Sequence, residues 1–333
     1  VEAKVKAINL ELSSMNRREF FSAAAGIGSS MLLLFPKPRS LLSRNLNFYS
    51  AQEEELKAAR DKQLKTLGIF NKIIKLARKK GWKSLPVGEC MGNIALLLVG
   101  TEYVPGTLEG EGPEICRIDL TGLDCVTFFE NVLCLSRVLK KDKTSFADFK
   151  AEIIFTRYRE GILTDYTSRL HYTSDWIDDN EKKKVVRNIT KEIGGEKFRF
   201  KLSFMSKNPG YYQALKEFPM FIEAITLLEK EINKRQHWYI PQRKLREAEK
   251  YIQTGDIIAL ATNKKGLDYG HTGLAYKDKG GKMRFLHASQ AEKKVLLDRE
   301  LCEYVKSIGT YIGITVARPL EVKQTKHGPG INS

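Results

Sequence analysis

"GLDCVTFFENVLC" (Gly122–Cys134) puts a cysteine directly after an aspartate, where a turn-like TGLD (Thr121–Asp124) gives way to an apolar helical run. With Cys125 as the first helical residue, Asp124 is a natural N-cap, its carboxylate accepting amides at the second or third position. Val126, Phe129, Val132, Leu133, Leu135 and Val138 supply the apolar positions that hold the helix, drawn to residue 140, in a core. A structural cysteine is at home anywhere along such a run. At the first turn, unpaired amides and the positive end of the helix dipole favour a thiolate. The Asp124 charge opposes that unless the cap or a substrate group takes it up.

A base for such a thiol has few sources, because the chain has only five histidines, at 171, 237, 271, 287 and 327. Two of them lie in neighbouring strand-like stretches, HTGLAYK (His271–Lys277) and KMRFLHAS (Lys282–Ser289). A three-residue hairpin loop of Asp278, Lys279 and Gly280, with Gly280 in the left-handed position, pairs Lys277 with Gly281 and sets His271 opposite His287 on one face. A two-residue loop opposes His271 to Ala288 and puts the histidines on opposite faces. Both registers stay open on the sequence. In the first, His271 takes the thiol proton and His287 orients it, the arrangement of nucleophile, base and orienter. The plain alternative is a buried cysteine and two satisfied strand histidines.

The rest of the chain sets the frame. Its 333 residues suffice for one large domain or two ordinary ones. A hydrophobic content of 42% with mean hydropathy −0.34 describes a globular protein, and 56 basic against 40 acidic residues give a net charge of +16. The excess is spread along the chain, with no zinc-finger spacing, RNP-like aromatic pattern or compact basic helix, so no nucleic-acid partner is expected. Five cysteines (90, 116, 125, 134 and 302) are an odd number without C-x-x-C spacing, and no metal-ligand cluster is expected. "MNRREFFSAAAGIGSSMLLLF" (Met15–Phe35) resembles a twin-arginine export signal, with residues 1–14 as an upstream extension. Its apolar part is short for a membrane span of about 20 residues, and no clear cleavage site precedes PKPRS, so an uncleaved anchor stays open. Residues 1–44 are therefore set apart as extension and signal, residues 45–333 form one domain, and export to the periplasm is expected, with membrane contact only through an uncleaved signal.

Helices come first: SAQEEELKAARDKQLKTLGIFNKIIKLARKKG (50–81) with Ser50 as an N-cap, a second in SLPVGECMGNIALLLV, then the one from Cys125, and SFADFKAEIIFTRYR (145–159). YTSRLHYTSDWIDDNEKKKVV (166–186) reads as a polar, aromatic loop entering a helix, FRFKLSFM (198–205) as a strand, and the run from Tyr211 to Gln236 as helical with a break at Pro219. GDIIALAT, HTGLAYKD, KMRFLHAS and IGITVARP then read as an antiparallel meander, which makes the class α+β.

GTEYVPGTLE with LDCVTFFENVLCLSRVL, SRLHYTSDWI, GDIIALATNKKGLDYGHTGLAY and FLHAS, in this order over roughly residues 85–319, resembles the N-acetylmuramoyl-L-alanine amidase-like family of the NlpC/p60 cysteine-hydrolase superfamily. The resemblance implies a papain-like fold, a nucleophile helix packed on a small antiparallel sheet. Its core spans about 85–140 and 250–320, with a mostly helical insertion at about 141–250. It implies Cys125 as nucleophile, His271 as general base, His287 as orienter, and Tyr103 beside the oxyanion. Asp124 caps the helix or contacts substrate, and Arg169, His171 and Trp176 form a pocket wall that binds substrate. The implied reaction is hydrolysis of the amide between N-acetylmuramic acid and L-alanine in muropeptides or other peptidoglycan fragments, often 1,6-anhydro, without metal or cofactor. The other readings are a γ-D-glutamyl-diamino-acid endopeptidase acting on stem peptides and a non-catalytic muropeptide-binding protein. Cys134 stands where the family resemblance implies a small aliphatic residue, an extra thiol open to modification in an oxidising compartment.

Overall fold

The apolar spacing after Asp124 produces a helix buried along nearly its whole length, and two of the strands that follow it in sequence pack against it. The computed structural model describes residues 39–322, so the twin-arginine-like stretch lies outside the described residues. The chain divides into a unit ending at Lys57 and a second unit from Ala58 onward, to which the site belongs. In chain order the elements are α1 (Arg39–Lys79), α2 (Val87–Leu97), β1 (Glu102–Tyr103), β2 (Gly122–Leu123), α3 (Cys125–Lys140), α4 (Phe146–Arg157), α5 (Thr173–Lys182), β3 (Val186–Asn188) and β4 (Glu196–Phe198). They continue with α6 (Phe204–Lys207), α7 (Gln213–Glu217), α8 (Met220–Asn233), β5 (His237–Pro241), α9 (Leu245–Ala248), β6 (Ile257–Thr262) and β7 (Tyr269–Lys277). The last are β8 (Met283–Ser289), β9 (Lys294–Glu300), α10 (Leu301–Ser307) and β10 (Tyr311–Pro319).

The ten strands form one mixed sheet, ordered β2-β1-β9-β8-β7-β6-β10-β5-β4 with β3 also on β10. The expected meander holds for β6 to β8; an unexpected strand, β9, follows on β8, and β10 crosses back to the far side of β6. All six residues of β6 are buried, as expected of an unbroken apolar run covered on both faces. Helix α3 packs on β7 and β8 and between α2 and α4. Every residue from Thr127 to Leu139 is buried, so its polar members need partners: Ser136 donates to the Val132 carbonyl at 2.9 Å, and Arg137 pairs with Glu152.

Two expectations about local structure need correction. Ser50 does not stand at a helix start, because α1 is already running at Arg39 and passes through it. FRFKLSFM gives only the end of β4; Ser203 and Phe204 both donate their amides to the Gly266 carbonyl at 3.2 Å, which ties the chain to the β6–β7 connection and turns it into α6. The segment between α4 and β6 is mixed, contributing β3, β4 and β5 to the sheet besides its helices.

The β7–β8 hairpin settles the open register. Lys277 pairs with Met283, and Asp278 and Lys282 close a loop of Lys279, Gly280 and Gly281 through the Asp278 amide and Lys282 carbonyl at 2.9 Å. The loop has the three residues of the first register but sits one residue later, and Gly281, not Gly280, takes the left-handed conformation at φ 80°. The Asp278 carboxylate fixes this position by accepting the amides of Gly280 and Lys282 at 2.9 and 3.0 Å. His287 therefore faces Gly273, and His271 stands diagonally across on the same face.

Candidate active site

The cysteine side of the site is built by short-range bonds. Asp124 is extended at φ −96°, ψ −179°, and its Oδ1 accepts the amides of Val126 and Thr127 at 3.0 and 2.7 Å. Thr127 returns a bond from the Asp124 amide to its hydroxyl at 2.9 Å, completing a capping box. All protein hydrogen bonds to the carboxylate among the described residues fall on Oδ1, so Oδ2 remains available to a ligand. Cys125 follows, half-buried, its carbonyl accepting the Thr272 hydroxyl from β7 at 3.0 Å, which stitches the helix start to the histidine strand.

The thiol is not activated in advance. Burial, then the Asp124 charge, push it up to about 11, against hydrogen bonds from Thr272 and its own backbone amide. The expectation that the helix end lowers its pKa is thus reversed: withdrawal from water outweighs a partial charge worth about 1 kcal/mol. The resting site holds a neutral thiol.

The histidine side depends on long-range pairing. Leu260 on β6 pairs with His271 and Ala261 with Tyr269, so Gly270 is the extra residue of a bulge that re-aims His271. A β-carbon at Gly270 would lie 2.8 Å from the Tyr311 ring. At Gly273 one would lie 2.7 Å from both the His287 β-carbon and the Phe285 ring, so glycine there makes room for the second imidazole. His271 Nε2 and His287 Nδ1 are 2.7 Å apart, and His287 Nε2 is 3.3 Å from Asp298 Oδ2. Asp298 is held down to about 2, first by its bond to His287, so it is an obligate acceptor. His287 thus donates from Nε2 to the carboxylate, and with its Nδ1 as acceptor His271 donates from Nε2–H and keeps a lone pair on Nδ1. Burial, then the neighbouring His287, depress His271 to about 3, so it is a neutral imidazole at ordinary pH.

Cys125, Asp124 and His271 line one pocket of about 300 Å³ with Arg169 and His171. Arg169 is buried, paired with Glu109 at 2.6 Å, donating to the Leu108 carbonyl at 2.9 Å and lying over the Tyr166 ring at 4.8 Å. It braces the wall with its charge already matched. His171 Nε2 donates to the Tyr166 carbonyl at 2.8 Å, and burial with the Arg169 charge keeps the ring neutral, so Nδ1 is an acceptor. Trp176 is placed elsewhere: only 2% exposed, edge-on to Phe129 at 4.9 Å, it donates its indole N–H to Glu130 at 2.9 Å. It supports the pocket through Glu130, which lines it and is also bound by Arg157 at 2.8 Å. Tyr103 pairs with Leu123, two residues before the cysteine, and burial with the nearby Cys125 and Asp124 charges raises its hydroxyl to about 12. Cys134, the extra thiol on the same helix, is sealed in the core against Thr156 at 3.2 Å.

The sequence reading missed Asp298 because β9 was not recognised as a strand. The signal was the short apolar run Val295–Leu297 in KVLLDRE (Lys294–Glu300), which pairs with the strand carrying His287. It also missed Tyr304, edge-on to His287 at 4.9 Å, and Tyr311, whose hydroxyl is raised to about 12, first by burial. Among the described residues no group of three or more His, Cys, Asp or Glu is placed to hold a metal ion.

Residues 93–313 match the model of the AmiA-like family, described as N-acetylmuramoyl-L-alanine amidase-like. The chain belongs to this family. A crystal structure of an N-acetylmuramoyl-L-alanine amidase from Bacteroides uniformis is 32% identical, with a TM-score of 0.67 over 70% of this chain and 99% of that one. A Bacteroides fragilis protein provisionally named a xylanase is 36% identical, with a TM-score of 0.64 over 67% of this chain and 98% of its own. A Legionella pneumophila protein at 21% identity, with a TM-score of 0.61 over 80% of this chain and 98% of its own, shares the fold. No curated protein matches. Family membership makes the chain an amidase-type hydrolase whose substrate derives from peptidoglycan.

Proposed function

We propose that this chain is a cysteine amidase that cleaves the N-acetylmuramoyl–L-alanine bond in muropeptides, within the papain-like NlpC/p60 group. The observation that carries the reading is the Asp298–His287–His271 hydrogen-bond chain, whose last imidazole lines the pocket that Cys125 also lines.

Because the thiol rests high and the imidazole low, no ion pair is formed beforehand. The thiol proton passes to His271 Nδ1 as Cys125 Sγ bonds to the lactyl carbonyl carbon. His287 accepts from the resulting imidazolium, and Asp298 stabilises the charge from one ring further away. The Cys125 amide, left over by the Asp124 cap, and the Tyr103 hydroxyl donate to the oxyanion, an interaction typically worth about 3 kcal/mol per donor. His271 then protonates the departing L-alanine nitrogen. Water attacks the thioester, gives its proton to His271, and restores the thiol. Asp124 Oδ2, aimed at the same space, suits an N–H of the peptide half.

A glycosidase reading, raised by the name of the Bacteroides fragilis relative, requires two free carboxyl groups flanking the scissile bond. In this pocket Glu109 and Glu130 are engaged by arginines, and Asp268 accepts the Ser174 and Tyr269 amides at 2.8 and 2.7 Å. The twin-arginine-like stretch Met15–Phe35 supports export to the compartment where the wall lies. The test is incubation of the protein and Cys125→Ala with anhydro-muramyl-L-alanine and muramyl tri- and tetrapeptides, with products followed by mass spectrometry. Release of L-alanine or intact stem peptide by the wild type alone supports the amidase. Cleavage within the stem overturns it in favour of an endopeptidase, and binding without cleavage in favour of a binding protein.

A further inference from the structure

Beside the catalytic pocket runs a second cleft of about 470 Å³, between the Arg199–Lys207 segment and the Thr262–Leu267 connection. Of its twelve lining residues five are cations, Arg199, Lys201, Lys207, Lys264 and Lys265, and none is acidic. All five are exposed, and among the described residues none forms an ion pair. Other exposed cations do find carboxylates: Arg243 and Lys244 share Glu196, Arg246 meets Glu300 and Glu303, and Lys282 meets Glu300. Like charges are therefore concentrated here with no internal counter-charge, at a cost in mutual repulsion that an anionic ligand relieves.

The cleft adjoins the site. Leu267 lines both spaces, and α6 divides them, presenting Met205 to the catalytic pocket while Ser203 and Lys207 line the cleft. A ligand whose amide lies at Cys125 reaches the cations by passing Leu267. In a muramoyl peptide the lactyl carboxyl is consumed in the scissile amide, so the sugar half is uncharged. The free carboxylates belong to the peptide half: the α-carboxylate left by a γ-linked glutamate, and the C-terminus. Charge thus dictates which half lies in which space.

We propose that this cleft binds the free carboxylates of the stem peptide and makes the enzyme select fragments that carry them; the substrate assignment rests on the amidase reading above. The test compares wild type with Lys264→Glu/Lys265→Glu, exposed positions outside the catalytic machinery. Substrates are muramyl-L-alanine, whose single carboxylate lies beside the scissile bond, and muramyl tetrapeptide with its carboxylates free or amidated. Charge reversal should lower kcat/KM on the free tetrapeptide about tenfold or more and leave muramyl-L-alanine within about twofold. Amidating the tetrapeptide should reproduce the loss in wild type and add nothing in the variant. Equal losses on all substrates, or indifference to amidation, overturn the proposal. Should wild type cleave no muramyl substrate, the amidase reading fails, and calorimetry of the free and amidated stem tetrapeptides still decides the cleft. Charge-dependent binding lost in the variant upholds it, and identical binding by both proteins overturns it. Citrate competing as strongly as the peptide would make the cleft a general anion trap and overturn the stem-peptide assignment.

Discussion

The two halves of the active site are made by different means. The cysteine is positioned chiefly by bonds that span three residues, from Asp124 to Thr127, with Thr272 adding a long-range bond to its carbonyl, and the helix they start is buried along nearly its whole length. The histidines are positioned by four strands, a bulge at Gly270 and a close approach at Gly273, and their tautomers by a carboxylate on a third strand. A local device tolerates change around it; a device assembled by register fails when any of its strands moves. Mutations on the two sides should therefore have different signatures.

The largest effect belongs to Cys125→Ala, which should lower turnover by at least about 10³-fold, with an unchanged melting temperature showing that the thiol serves chemistry and not the core. Next, Gly273→Ala should damage stability and activity together. Its methyl group meets His287 and Phe285 at 2.7 Å, and such overpacking costs about 1–3 kcal/mol. Denaturant unfolding alongside kcat would check it; loss of neither would mean the strand yields freely. Asp298→Ala should lower kcat about 10- to 100-fold, the range for outer partners of functional histidines, with KM little changed and partial rescue in Asp298→Asn. A melting-temperature loss without a kcat loss would reduce the carboxylate to a structural role.

Proton linkage sharpens the same contrast. His271 titrates near 3 in the folded protein against 6.5 ordinarily, and His171 is lowered in the same direction. Between these values the unfolded chain binds protons that the folded rings refuse, so stability should fall as pH drops below about 6.5 and level off above it. Thermal melts of wild type and His271→Gln would show it, the variant having the shallower slope. The smallest effect is expected from Asp124→Asn. Asparagine caps as well as aspartate, so stability should stay within about 0.5 kcal/mol, while loss of the charge lowers the thiol pKa. Thiolate absorbance against pH would detect the shift.

The same contrast explains what was legible in the sequence. Helix α3 was readable because cap and periodicity are local, and the Cys125–Lys140 span follows from them. The hairpin was readable in part. Sliding a three-residue loop by one position shifts the pairing by two, so the histidines keep a common face although His271 does not stand opposite His287. What fixed the true position was Asp278 bonding Gly280 and Lys282, a preference that counting residues does not weigh. Asp298 was hidden because β9 has only three apolar residues in a row and no alternation, and its importance arises only from pairing with β8. Trp176 looked like a wall residue because it neighbours Arg169 and His171 in sequence. Helix α5 instead points its indole into the core, where Glu130 awaits the N–H.

The protonation state of the resting site also bears on how a small molecule would disable it. A thiol held near 11 offers little anion to reagents that must collide with a ready-made nucleophile, so simple haloacetamides should label Cys125 sluggishly. A warhead that acquires negative charge only as its bond to sulfur forms, such as a nitrile or an aldehyde, recruits His271 during the addition and leaves the other four cysteines untouched. Selective covalent ligands for this protein should come from that second kind of electrophile.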